Sequence, residues 1–126
     1  MKYWFTSVFV LFLIVGSVKA QTTEAERFAK PQSSKNISAQ VGQKLAVRDT
    51  VSDFRIVNPT TTLLNLGGHY PNQSLTVTIK GDAIKINPAL MKGKPVCFYG
   101  EVTLFKNRPE MVVTEPAQIL DVKKYQ

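Results

Sequence analysis

The stretch from Leu63 to Gly81 constrains the fold more than any other part of the chain. It reads Leu-Leu-Asn-Leu-Gly-Gly-His-Tyr-Pro-Asn-Gln-Ser-Leu-Thr-Val-Thr-Ile-Lys-Gly. Leu75, Val77 and Ile79 alternate with Thr76, Thr78 and Lys80, the period of two expected of a strand with one buried face. Gly67 and Gly68 bring backbone freedom to the connection before it, and Pro71-Asn72 is turn chemistry. Two paired strands joined by a wide loop follow from this pattern, with Gly81 closing the second.

Other segments supply partners for that pair. From Lys44 onward Leu45, Val47 and Val51 face one way and Ala46, Arg48 and Thr50 the other. The alternation blurs around Asp53, Phe54 and Ile56, which predicts a long first strand that bends or bulges midway. Asn58-Pro59 ends it, because proline removes a ladder donor and restricts the residue before it. Thr60 to Leu66 is the second strand, Leu75 to Lys80 the third and Pro95 to Leu104 the fourth. Lys106-Asn107-Arg108-Pro109 makes a hairpin to a fifth at Met111–Val113, and Ile119, Leu120 and Val122 suggest a last edge segment. Between Gly81 and Gly93, Asp82 and Asn87 are N-cap residues and Pro88 suits a first helical position. Ile84, Ile86, Leu90 and Met91 are apolar enough to cover the open end of a barrel. The expected fold is therefore all-β, a five-stranded oligonucleotide/oligosaccharide-binding (OB) barrel with a short helix between strands 3 and 4. An SH3-like barrel is the alternative, although a helix at that place is unusual for it.

The N-terminus sets a compartment. Lys2, Tyr3-Trp4-Phe5, an apolar core from Val8 to Val15, and Val18-Lys19-Ala20 read as a signal peptide over residues 1–20. The apolar run is short for a membrane span, and Gln21 stands where a lipoprotein would need cysteine. The chain is thus expected to be exported, periplasmic or secreted, without stable membrane insertion after cleavage. Residues 21–36 read as a flexible polar segment, with Thr23-x-x-Glu26 as a capping box and Pro31 to Ser34 as linker. Ile37 to Gln43 reads as one helical turn capped by Ser38, with Ile37 and Val41 both positioned to touch the barrel. The domain then spans 37–122, with 123–126 as tail. The formal charge of +7 drops by two when Lys2 and Lys19 leave. That excess favours anionic partners without choosing among them, and serves solubility equally well. Cys97 is the only cysteine, so no internal disulfide is available to an exported chain.

Several of these residues resemble a family of small bacterial OB-fold domains, found as exported single-domain proteins and appended to extracellular nucleases. The likeness lies in Leu63-Leu64-Asn65-Leu66-Gly67-Gly68-x-Tyr70-Pro71-Asn72-Gln73 and in Leu75-Thr76-Val77-x-Ile79-x-Gly81. It continues through Gly93-Lys94-x-Val96-Cys97-x-x-Gly100-x-Val102 and Pro109-x-Met111-Val112-Val113 to Pro116-x-Gln118-Ile119. The resemblance covers about residues 37 to 120 and implies the fold and, by association with nucleases, nucleic-acid binding. Members often carry a second cysteine in the first strand followed by a small residue, where this chain has Arg48-Asp49. They also often place an aromatic residue before the closing glycine, where this chain has Lys80.

Catalytic chemistry finds little footing. His69 is the sole histidine, Cys97 has no recognisable base, and Glu101, Glu110 and Glu115 show no spacing for acid–base work. One histidine and one cysteine do not make a zinc site, and Gly67-Gly68 does not open a helix as a phosphate loop does. The expectation is a non-enzymatic binding module without cofactor. OB folds commonly bind across strands 2 and 3 and the 1–2 and 4–5 loops. Single-stranded DNA or RNA needs cations for phosphates and rings for bases. Arg55, Lys80, Lys106 and Arg108 supply charge, Tyr99 a ring and Asn65 an amide. Phe105 is a further ring near the hairpin unless it is core, and Tyr70 is expected to pin the glycine loop. A glycan or small anionic ligand, or a protein partner, are the alternative occupants.

Overall fold

The fold is described from a computed structural model, covering residues 23–126. The expected signal peptide, Trp4 included, lies outside the described residues. Five strands form: β1 (Lys44–Asn58), β2 (Thr61–Leu66), β3 (Leu75–Lys80), β4 (Pro95–Phe105) and β5 (Arg108–Val113). They close on themselves in the order β1-β2-β3-β5-β4. Every neighbouring pair is antiparallel except β3–β5, which is parallel.

One strand serves two neighbours because it bends. Lys44 to Thr50 of β1 pairs with β4, and Val51 to Asn58 pairs with β2. The register shifts between Val51 and Asp53, where the sequence alternation blurs. An unpaired residue at such a point kinks the strand and increases its twist, which lets a short sheet close. At the kink, Val51 leaves β4 and exchanges backbone hydrogen bonds with the connecting segment instead: its N–H donates to the Lys94 carbonyl and its carbonyl accepts from Gly93.

That segment, residues 81–94, carries a single 3-10 turn at Pro88–Leu90 rather than a longer helix. Asn87 caps it by accepting from the Ala89 N–H. Ile84 and Met91 are buried in the core, while Leu90 stays partly exposed. Inside the closed sheet, Val47, Val51, Leu64, Leu66, Leu75, Val77, Phe98, Val102, Met111 and Val113 are wholly buried. These are the inward positions of a period-two pattern, and their burial from water supplies the main stabilising term.

The ends of the chain differ from expectation. The described part of 21–36 lies against the sheet. A short helix, α1 (Glu24–Arg27), starts at Thr23, whose side chain accepts from the Glu26 N–H. Gln32 then pairs in parallel with Val47, and Ser34 is fully buried. The cause is Asp49, whose carboxylate accepts from the Ser34 hydroxyl and N–H, so linker-like residues find buried partners. Ser38 does not cap the 3-10 turn at Ile37–Gln40. Asn36, in the left-handed region, precedes it, and Ile37 is buried while Val41 is exposed. Nor is 119–122 an edge strand: Ile119 makes one bridge to Phe98, between 3-10 turns at Pro116–Gln118 and Val122–Tyr125. Residues 123–126 belong to the packed domain, since Tyr125 is buried and its carbonyl accepts from the Asn87 N–H.

Candidate nucleic-acid interface

The register of the strands fixes what the outer face presents. With Leu64, Leu66, Leu75 and Val77 turned inward, their neighbours stand on the other face of the sheet, where Asn65 and Thr78 are themselves buried. Asp53 pairs with Asn65, Asn65 with Thr76, and Thr76 with Glu110, making one polar row across β1, β2, β3 and β5. The next row out joins Arg55, Leu63, Thr78 and Val112. Apart from Val112, these rows floor a groove of about 440 Å³, walled by the loop after β2 and the hairpin between β4 and β5.

The row is hydrogen-bonded in one direction. The Gln73 amide donates to the Thr76 hydroxyl, that hydroxyl donates to Asn65 Oδ1, and Asn65 Nδ2 donates to Asp53. Asp53 also accepts from the Tyr70 N–H at 3.1 Å and faces His69 Nδ1 at 3.4 Å. Burial pushes its carboxyl up, but the Asn65 amide, the Tyr70 N–H and His69 outweigh that and hold it below the usual carboxylate value. An ionised Asp53 accepts only, so it orients every donor in the chain towards itself.

The wall after β2 needs its glycines. Gly68 has φ +146°, and a Cβ there would stand 2.6 Å from the Asn72 carbonyl oxygen. Its N–H donates to Ser52 Oγ at the kink of β1. The loop thus turns back against β1 and lifts Tyr70, 70% exposed, over the groove rather than pinning itself with that ring. The Tyr70–Pro71 bond is cis, and the Arg108 guanidinium donates to the Pro71 carbonyl. On the other wall Lys106 and Asn107 both have positive φ, the backbone of a two-residue hairpin turn. Phe105 is 59% exposed, not core, with Lys106 Nζ 5.4 Å from its ring centroid. That is cation–π distance.

Of the residues singled out from sequence, Arg55, Asn65, Lys106 and Arg108 line this groove together. Arg55 and Lys106 form no ion pair among the described residues. Lys80 lies elsewhere, exposed at the end of β3 opposite Thr61. Tyr99 is on β4 away from the groove, its ring edge-on to Phe28 at 6.3 Å and 73°. The 1–2 connection is also absent from the groove: Pro59 and Thr60 border a separate depression with Ile84 and Asn87. The loop between β2 and β3 takes its place. Asp53, Tyr70, Gln73 and Glu110 were not singled out as site residues. Cross-strand register brings in Asp53 and Glu110, while Tyr70 and Gln73 arrive on the β2–β3 loop, tied to the floor by bonds to Asp53 and Thr76.

Among the described residues no three metal-ligating side chains cluster. Cys97 is buried on β4 directly across from Arg48, and burial pushes its thiol up against the opposing effect of the Arg48 charge. No family model matches the chain, and no curated protein matches it.

Proposed function

We propose that this chain is an exported, non-enzymatic OB-fold module that binds single-stranded nucleic acid in the groove between the β2–β3 loop and the β4–β5 hairpin. The strand order, the single parallel pair and the plug between β3 and β4 support the OB reading. One observation carries the ligand class. Two exposed rings, Tyr70 and Phe105, line one groove with Arg55, Lys106 and Arg108. Rings that stack on bases and cations that meet phosphates are the two requirements of sequence-tolerant single-strand binding. A large ring left in water gains from a flat partner, and it costs little to offer because it is already exposed.

The test is a salt titration of residues 21–126 with labelled oligo(dT) and oligo(U). Affinity falls as salt rises, with a logarithmic slope of roughly −0.7 per phosphate neutralised. The double variant Lys106→Ala, Arg108→Ala flattens that slope by about one contact or more. Undetectable binding at low salt overturns the proposal and leaves a glycan or a protein as the occupant to be sought.

A further inference from the structure

We propose that the groove selects guanine, read on its Watson–Crick edge by the Glu110 carboxylate; this rests on the nucleic-acid reading above. Glu110 is out of place in a groove built only for phosphates. It is the fourth member of the row Asp53, Asn65, Thr76, Glu110, directly opposite Thr76 on the parallel strand. Its side chain makes no hydrogen bond or ion pair among the described residues, although three cations line the same groove. A carboxylate there repels a backbone phosphate, so the part of the ligand beside it carries donors.

The hydrogen-bond chain explains why Glu110 is left without a partner. The hydrogen bonds along the floor all end away from it: Gln73 donates to Thr76, Thr76 to Asn65, and Asn65 to Asp53. Reversing the Thr76 hydroxyl towards Glu110 would strip Asn65 Oδ1 of its donor. The direction is fixed at the far end by Asp53, which already collects the Asn65 amide and the Tyr70 N–H. Gln73 ends the chain with its Oε1 buried and without a partner, which adds negative potential beside Thr76. With Asp53 and Glu110 both in it, the centre of the floor carries negative charge, and Arg55, Lys106 and Arg108 line the same groove.

Among the bases, adjacent donors single out guanine. Its N1–H and N2–H2 lie side by side and match the two oxygens of a carboxylate. Adenine and cytosine place a ring acceptor next to their amino group, and thymine or uracil flank one N–H with two carbonyls. Each of these alternatives sets a lone pair against Glu110. Single-stranded bases expose this edge, and stacking on Tyr70 or Phe105 would hold it towards the floor.

The experiment compares oligo(dT) of about nine nucleotides with the same strand carrying one central guanosine or one central inosine, at fixed low salt. Inosine keeps N1–H and lacks the 2-amino group. The guanosine strand binds on the order of tenfold more tightly than oligo(dT), and inosine loses most of that gain. Glu110→Gln makes the three strands equal and tightens oligo(dT), because a charge facing the phosphates is removed. A merely structural role for Glu110 would weaken all three together. Equal affinity of the native protein for the three strands overturns guanine selection while leaving single-strand binding standing. No binding of any strand overturns both.

Discussion

Two aspartates four positions apart on β1 do the same job on opposite sides of its kink, with different results. Asp49, before the kink, accepts from Ser34 Oγ and Ser34 N–H and draws the N-terminal segment across the sheet. Asp53, after it, accepts from Tyr70 N–H and Asn65 and draws in the β2–β3 loop. On the first side the chain covers itself, with Ser34 fully buried and Phe28 packed on Tyr99. On the second side the captured loop becomes a wall, and the face beyond it stays open with Tyr70 and Phe105 in water. A carboxylate that gathers N–H and O–H donors organises a loop in either case. What separates a lining from a site is whether the gathered segment brings apolar cover or holds its rings away.

The strongest way to break the contrast is through the glycines of the β2–β3 loop. Gly68→Ala forces a Cβ against the Asn72 carbonyl in a backbone conformation that side-chain-bearing residues rarely adopt. Stability falls by about 3 kcal/mol, the upper end for one strained position, read from the urea midpoint. Oligo(dT) affinity falls with it, because Tyr70 and Gln73 ride on this loop. Gly67 sets the two sides in contact, since a Cβ there would meet Ser34 Oγ from the N-terminal segment. If Gly68→Ala weakens stability and spares binding, the loop is a lining like its counterpart and the contrast fails.

The aspartates themselves sharpen it. Burial raises the carboxyl of each, and donated hydrogen bonds more than reverse this: from Ser34 and Thr50 at Asp49, from Asn65 and Tyr70 at Asp53. A carboxyl whose value is lower in the folded than in the unfolded chain adds stability above the unfolded value. That stability is lost as pH falls through the folded value. Here the loss begins near the ordinary 3.8 and deepens below it. Urea midpoints measured from about pH 5 down to about pH 2 therefore fall in the native protein and fall less in Asp49→Asn and in Asp53→Asn. At neutral pH each substitution costs about 2 kcal/mol, the scale of hydrogen bonds to a charged group. Only Asp53→Asn changes oligonucleotide affinity; an equal change from Asp49→Asn would show that both sides belong to one site.

How far the sequence carries depends on whether a feature is periodic or relational. Leu75, Val77 and Ile79 announce a strand because alternation is local, and the kink announces itself as broken alternation at Asp53 and Phe54. The hairpin and the plug follow from turn and cap chemistry at Lys106-Asn107 and Asn87-Pro88. The described segment 23–36 is misread because its cover depends on Asp49, a partner at least thirteen positions away, and polar residues beside proline look like linker. Tyr99 goes astray for the same reason. Nearness to the hairpin in sequence says nothing of which side of a closed sheet a ring faces. Asp53 and Glu110 enter the groove only through the pairings 53–65, 65–76 and 76–110, the last a parallel pairing that no hairpin rule supplies, and Gln73 enters from the β2–β3 loop through its bond to Thr76.

The smallest stability effect concerns the two aromatic pairings themselves. Phe28 meets the Tyr99 ring edge-on, with both residues half-buried, so Phe28→Ala removes an aromatic contact worth about 1 kcal/mol. Oligonucleotide affinity should stay where it was, because neither ring reaches the groove. Phe105→Ala is the mirror case. The ring is mostly in water and packs with Lys106, so stability moves by no more than about 0.5 kcal/mol. Binding then falls at least fivefold, the lower end of what one stacked base contributes. Urea midpoints and oligo(dT) titrations on the two variants cross over if the faces are divided as the structure indicates. Parallel losses in both measurements would mean that Phe105 holds the hairpin in place and that its exposure reflects no ligand.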